Sequence, residues 1–378
     1  MKIIFKFLFP HNIQLKNAKR FVIPVVIAVM LKIFMFSWIQ WSINQRPELF
    51  SYNFWWETFT IWDGGWYNLI AQNWYQAIPA SPPIPVEQTF AFFPAFPAVI
   101  RSLGFLIGNF TASQVIIASI FGVMWIPIFQ LVAEQYLNQE EAFSATLIAA
   151  LFPTVFLFSS VGYSEGLFLT LALSSWFLYL KEKHLFASIA VAGASLTRSV
   201  GIILVVPMFL ESIIRKRFRE ALLYMLAGLA QVAWFCYGWL KTGNFLVVFE
   251  AQKYWSNRKF LSQYVLPTLF QTSSPFSFNL PVNEAFAGFV ICLLAIFVLL
   301  IAKVSRLDWK LAVYSLLALF VTVLFGNIQS YPRYLSFIFP VWLTFRVEKN
   351  WWLILVLFML GFGDLFFGYL FARWAFLG

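Results

Sequence analysis

Apolar stretches recur from about residue 21 to residue 371, parted by short polar segments. A membrane-crossing helix needs about 20 such residues, and a single anchor would need only one run. The repetition therefore predicts an all-α polytopic membrane protein. Composition agrees: 61% of the 378 residues are hydrophobic and 11% are charged, against roughly 45–50% and about 25% in soluble domains. A soluble enzyme is excluded, and there is room for about ten or eleven crossings with no separate soluble domain. The formal charge of +10 is scattered between the spans, which is the pattern of orientation signals and not of nucleic-acid binding.

Two cysteines, Cys236 and Cys292, lie in apolar segments, so neither a disulfide framework nor a metal-ligand spacing is present. His11 and His184 stand alone beside basic residues and read as solvated loop histidines.

Lys16, Lys19 and Arg20 precede the first crossing, at residues 21–43. By the positive-inside rule the N-terminus is cytoplasmic, and residues 1–20 form a retained tail. Residues 44–111 then form a first outer loop whose segment 92–107, with Pro94, Pro97 and Arg101, reads as an interfacial or partly re-entrant helix. Crossings follow at 112–135, 142–160 and 164–180. Basic residues flank 185–210 on both sides, so that segment must return to the face it left. Two short helices meeting near Thr197, Arg198 and Ser199, with the tip toward the outer face, satisfy this. Further crossings are expected at 221–241, 285–302, 310–326, 333–345 and 351–371, around a second outer loop at 242–284. The whole chain, 1–378, is then a single membrane domain, with roughly twice as many Lys and Arg on cytoplasmic as on outer segments.

Chemistry concentrates on the outer side. In Trp62-Asp63-Gly64-Gly65-Trp66-Tyr67 a carboxylate sits among aromatic rings, beside glycines that allow close approach; the competing reading is a helix cap. Glu165 stands where one crossing ends and the next begins, a place that also suits helix electrostatics. Arg198 lies at membrane depth, where a charge usually faces a cavity or an ionic partner. Arg333, in Ser330-Tyr331-Pro332-Arg333-Tyr334, could hold a phosphate bidentately or snorkel to the interface. Two carboxylates, two arginines and aromatic rings next to lipid suit a lipid-phosphate substrate: a carboxylate to deprotonate an acceptor hydroxyl, arginines to stabilise a departing phosphate. The rival class is a lipid or glycolipid transporter or flippase, with Arg198 and Glu165 along a pathway. Two carboxylates also leave a divalent metal ion open, though no further cofactor is indicated.

Trp62-Asp63-Gly64-Gly65-Trp66-Tyr67, Phe92-Phe93-Pro94-Ala95-Phe96-Pro97 with Arg101, Phe152-Pro153-Thr154 leading to Tyr163-Ser164-Glu165, Leu196-Thr197-Arg198-Ser199 and Tyr331-Pro332-Arg333-Tyr334 resemble, in order and spacing, the PIG-V family of mannosyltransferases in the GT-C superfamily. The resemblance implies a GT-C-like bundle with a catalytic first outer loop. It implies transfer of a sugar, usually mannose, from a polyprenyl-phosphate donor to an extracytoplasmic lipid or glycan acceptor, with inversion. Asp63 would be the general base and Glu165 a second catalytic acidic residue. Trp62, Arg198, Arg333 and Tyr331 would bind substrate, joined by Gln252 and Trp255 in the second outer loop. Many relatives carry proline where Ser199 stands, and the compact chain resembles prokaryotic members. The expected location is therefore a bacterial inner membrane, with the active site on the extracytoplasmic face.

Overall fold

A computed structural model describes residues 15–45, 55–79, 82–251, 254, 280–325, 330–347 and 350–372. In chain order its helices are α1 (Leu15–Asn44), α2 (Asp63–Asn73), α3 (Ala95–Ile107), α4 (Phe110–Ala133), α5 (Gln139–Ala150), α6 (Pro153–Phe158), α7 (Glu165–Leu180), α8 (His184–Ser195), α9 (Val205–Ile214), α10 (Phe218–Thr242), α11 (Leu280–Val304), α12 (Trp309–Phe325), α13 (Tyr331–Ser336) and α14 (Asn350–Ala372), with single helical turns between some of them. Among the described residues no strand forms beyond an isolated bridge, Ile78 to Ile84.

The chain is an all-α polytopic membrane protein. Within α1, α4, α10 and α14 lie four stretches long and apolar enough to cross a bilayer unaided. Large apolar side chains cover the outside of the bundle, among them Met30, Leu240 and Phe358. In water such a surface would associate; in hydrocarbon it is the solvated face.

Local chemistry sets the helix ends. Asn109 accepts from the Ala112 N–H at 2.9 Å to start α4, just after Gly108 closes α3 at φ 72°. A capping box between Asn138 and Glu141 starts α5. The expected crossing at 142–160 is split into α5 and α6 because Pro153 opens a new helix at its first turn. The expected crossing at 333–345 is likewise two pieces, α13 and a 3₁₀ segment, Phe339–Thr344, each with a proline in its first turn. Proline has no N–H to continue a preceding helix, so the chain bends at both places.

The hairpin expected at 185–210 is present. α8 ends at Ser195, Arg198 is extended, and a 3₁₀ segment, Ser199–Leu204, leads into α9. Its tip meets the start of α3, where the Ala95 N–H donates to the Leu196 carbonyl at 2.9 Å.

Close packing of α4 on α7 is the contact that places the site. A Cβ on Gly122 would run into the Ser159 carbonyl, and one on Gly166 would lie 2.8 Å from the Gly122 nitrogen. Small residues let two backbones touch inside a membrane bundle. Here they bring the start of α7, with Glu165, against the middle of α4.

Candidate active site

Asp63 opens α2 as its first helical residue. The residue before it, Trp62, takes the N-cap position with φ 57° and ψ −126° and makes no side-chain cap. A bulky residue at positive φ is strained, so the turn that presents Asp63 is held by its surroundings. The cap reading of Asp63 gives way to an ion pair: its Oδ2 accepts from Arg333 Nη1 at 2.8 Å.

Glu165, fully buried at the start of α7, receives two guanidinium groups on one oxygen. Arg333 reaches Oε1 through both Nε and Nη2 at 2.5 Å, and Arg198 reaches it through Nη1 at 2.7 Å. The other oxygen, Oε2, has no hydrogen-bond partner among the described residues. Arg333 is 2% exposed, against 28% for Asp63 and 16% for Arg198. Two carboxylates and two guanidinium groups cancel in charge, as a buried cluster requires. The inner guanidinium is enclosed, and Asp63 and Arg198 keep part of their surface exposed.

Aromatic rings enclose the arginines. Arg333 lies over Phe158 at 4.6 Å and Tyr163 at 4.7 Å, and Tyr334 lies 5.5 Å from the Arg198 guanidinium. Such faces stabilise a cation after its water is removed. Ser164 joins the set, with Oγ 3.4 Å from Arg198 Nη1 and 2.9 Å from the Tyr67 hydroxyl. Burial pushes the Tyr67 and Tyr163 hydroxyls well above the usual phenol range. They act as neutral hydrogen-bonding groups, and Tyr163 donates to the Ile61 carbonyl at 3.2 Å.

The structure thus gathers Asp63, Glu165, Arg198 and Arg333 from four separate stretches of chain, with Trp62 beside them. Tyr331 is turned into the bundle, where its hydroxyl donates to the Val323 carbonyl at 2.8 Å; it anchors the turn that carries Arg333. Gln252 and Trp255 lie outside the described residues. Sequence reasoning passed over Gln114 and Asn68, which bond each other beneath Asp63 at 2.9 Å. The available signal was a glutamine inside an apolar helix. His184 is no solvated loop histidine: its ring contacts Tyr224 at 2.8 Å and Glu220 at 3.3 Å at the far end of the bundle.

No group of three metal-ligating side chains occurs among the described residues. Asp63 and Glu165 each hold Arg333, which stands between them, so as arranged the pair does not fit a dication. The exposed edge of Arg198 suits an anion instead.

No family profile matches the chain, and no curated protein matches it in sequence. Among solved structures, the apo oligosaccharyltransferase of Archaeoglobus fulgidus aligns at TM-score 0.51 and 11% identity, over 96% of this chain and 57% of that one. The oligosaccharyltransferase AglB of the same organism, with an inhibitory peptide and a dolichol-phosphate, gives TM-score 0.49 and 12% identity over 97% and 57%. This chain therefore spans little more than half the length of the archaeal protein. What this likeness shows is the fold, a helical membrane bundle shared with the archaeal protein.

Proposed function

We propose that the chain is an extracytoplasmic membrane glycosyltransferase, of the PIG-V kind. It moves a sugar, mannose in this reading, from a polyprenyl-phosphate donor to a lipid or glycan acceptor. Arg198 and Arg333 hold the donor phosphate. Asp63 takes the proton of the acceptor hydroxyl as that oxygen attacks the anomeric carbon. The bond from that carbon to the phosphate oxygen breaks on the opposite face, so configuration inverts, and the polyprenyl phosphate leaves with its charge held by the arginines. Glu165, buried behind them, keeps both guanidinium groups aimed at one place.

The observation that carries this reading is the shared guanidinium: Arg333 bonds Asp63 and Glu165 at once, while Arg198 joins on the more open side. An anionic group entering there draws charge from Arg333 and frees Asp63 to act as a base. The GT-C-like fold supports the same class of chemistry. The bacterial inner membrane and the cytoplasmic N-terminus belong to this proposal.

The test is transfer of label from radiolabelled polyprenyl-phosphate mannose to a membrane extract by purified protein in lipid. Label should reach a new product with the wild type and not with Asp63→Asn. Failure with the mannose donor and with its glucose, galactose and arabinose counterparts would turn the reading toward a flippase, to be probed at Arg198.

A further inference from the structure

Gln114 lies in the first turns of α4 and is fully buried. Its Nε2 donates to two backbone carbonyls of different segments, Gly64 at 2.8 Å and Gly162 at 2.5 Å. Its Oε1 accepts from Asn68 Nδ2 at 2.9 Å, and that same Nδ2 lies 3.3 Å from Thr111 Oγ1. Asn68 Oδ1 in turn accepts from Gln72 Nε2. Every polar atom of the Gln114 amide is used, and the partners fix which end is nitrogen.

Both carbonyls belong to the site. Gly64 follows Asp63, and Gly162 lies in the turn that leads to Glu165. A Cβ on Gly162 would stand 2.8 Å from Gln114 Nε2, and one on Gly64 would stand 3.3 Å from the Gly162 carbonyl and 3.5 Å from Nε2. Glycine at 162 keeps the space the amide occupies, and glycine at 64 lets the two turns approach. The turn is tied in further by the Gly162 N–H, which donates to the Phe59 carbonyl at 2.7 Å.

We propose that Gln114 is a positioning residue for sugar transfer: its amide clamps the backbone of the Asp63 turn to that of the Glu165 turn and so sets the separation of the two carboxylates around Arg333. The inference rests on the functional reading above. A displacement of about 1 Å between reacting groups can cost about 100-fold in rate, so the clamp acts on turnover and hardly on donor binding.

The experiment compares wild type, Asp63→Asn, Gln114→Met and Gln114→Glu, full-length in lipid, with polyprenyl-phosphate mannose as donor. Methionine keeps length and volume without the donor, and kcat should fall about 10- to 100-fold with donor KM within about twofold. A carboxylate at 114 cannot donate, but a carboxylic acid can, so kcat of Gln114→Glu relative to wild type should rise as pH falls. Wild-type kcat in Gln114→Met beside an inactive Asp63→Asn overturns the clamp and leaves the functional reading intact. Full activity in Asp63→Asn, or no transfer by the wild type, overturns that reading and the clamp with it. If both Gln114 variants fail to fold at every pH, Gln114 is a folding determinant and the positioning role is rejected.

Discussion

Arg333 donates from Nη1 to Oδ2 of Asp63 across 2.8 Å, joining positions 270 apart in the chain. This bond couples the proposed base to the proposed phosphate site, and an amide can replace it without loss of geometry. Asp63→Asn keeps an oxygen for Arg333 but cannot take a proton. Transfer should fall about 10²- to 10⁴-fold with expression retained and a smaller loss of thermal stability than Arg333→Ala brings, because Asp63 is the more exposed partner. Initial rates with saturating donor measure it, and near-normal turnover would sink the general-base role.

Arg333 serves two carboxylates through three nitrogens, a fork that lysine cannot copy. Arg333→Lys should keep the charge, retain the fold and raise the apparent donor KM about tenfold, a loss of about 1.4 kcal/mol. Arg333→Ala leaves the buried Glu165 with one guanidinium partner and Asp63 without this ion pair. Breaking a buried pair from one side costs about 3–5 kcal/mol, so that variant should unfold at lower temperature. Unchanged donor KM in Arg333→Lys would remove the phosphate role from this residue.

Trp62 reverses the usual ranking of small residues, because its φ of 57° lies where glycine is at ease and alanine is not. Truncation to either removes the same aromatic contacts, and the comparison isolates the backbone. Trp62→Gly should be more stable than Trp62→Ala by about 1–3 kcal/mol, read from thermal unfolding in detergent or lipid. An alanine variant as stable as the glycine variant would mean that the turn relaxes and holds no strain.

The sequence carried the class of fold and the four charged members of the candidate site: Glu165, Arg198 and Arg333 stand out as charges amid apolar segments, and Asp63 by the tryptophans and glycines around it. The break at Leu196 to Ser199 was legible from charge parity on either side of 185–210. The splits at Pro153 and in 333–345 were not, since both segments are apolar enough to be read as single crossings although their prolines end them. That Glu165 and Asp63 share one arginine depends on which helices pack together, such as α4 on α7 at Gly122 and Gly166, and a one-dimensional pattern does not show which glycines meet. Gln114 was passed over because one amide in an apolar helix barely changes its hydropathy.

Lys32, buried in the α1 span, offers the last test. Its Nζ donates to the Gly122 carbonyl at 2.8 Å and to the Ser159 carbonyl at 3.3 Å, beside the turn that carries Glu165. Asp364 of α14 is buried as well, and its two carboxylate oxygens have no hydrogen-bond partner among the described residues. Lys32→Met leaves the buried Gly122 and Ser159 carbonyls without this donor, at a cost of about 1–3 kcal/mol. Asp364→Leu should cost less, because Lys32 keeps two carbonyls. The double variant should recover a large part of the loss, since an uncharged pair of similar volume suits hydrocarbon. A double-mutant cycle on unfolding free energy measures the coupling. Strictly additive losses would show that the two side chains act alone, with Lys32 serving the Ser159 turn.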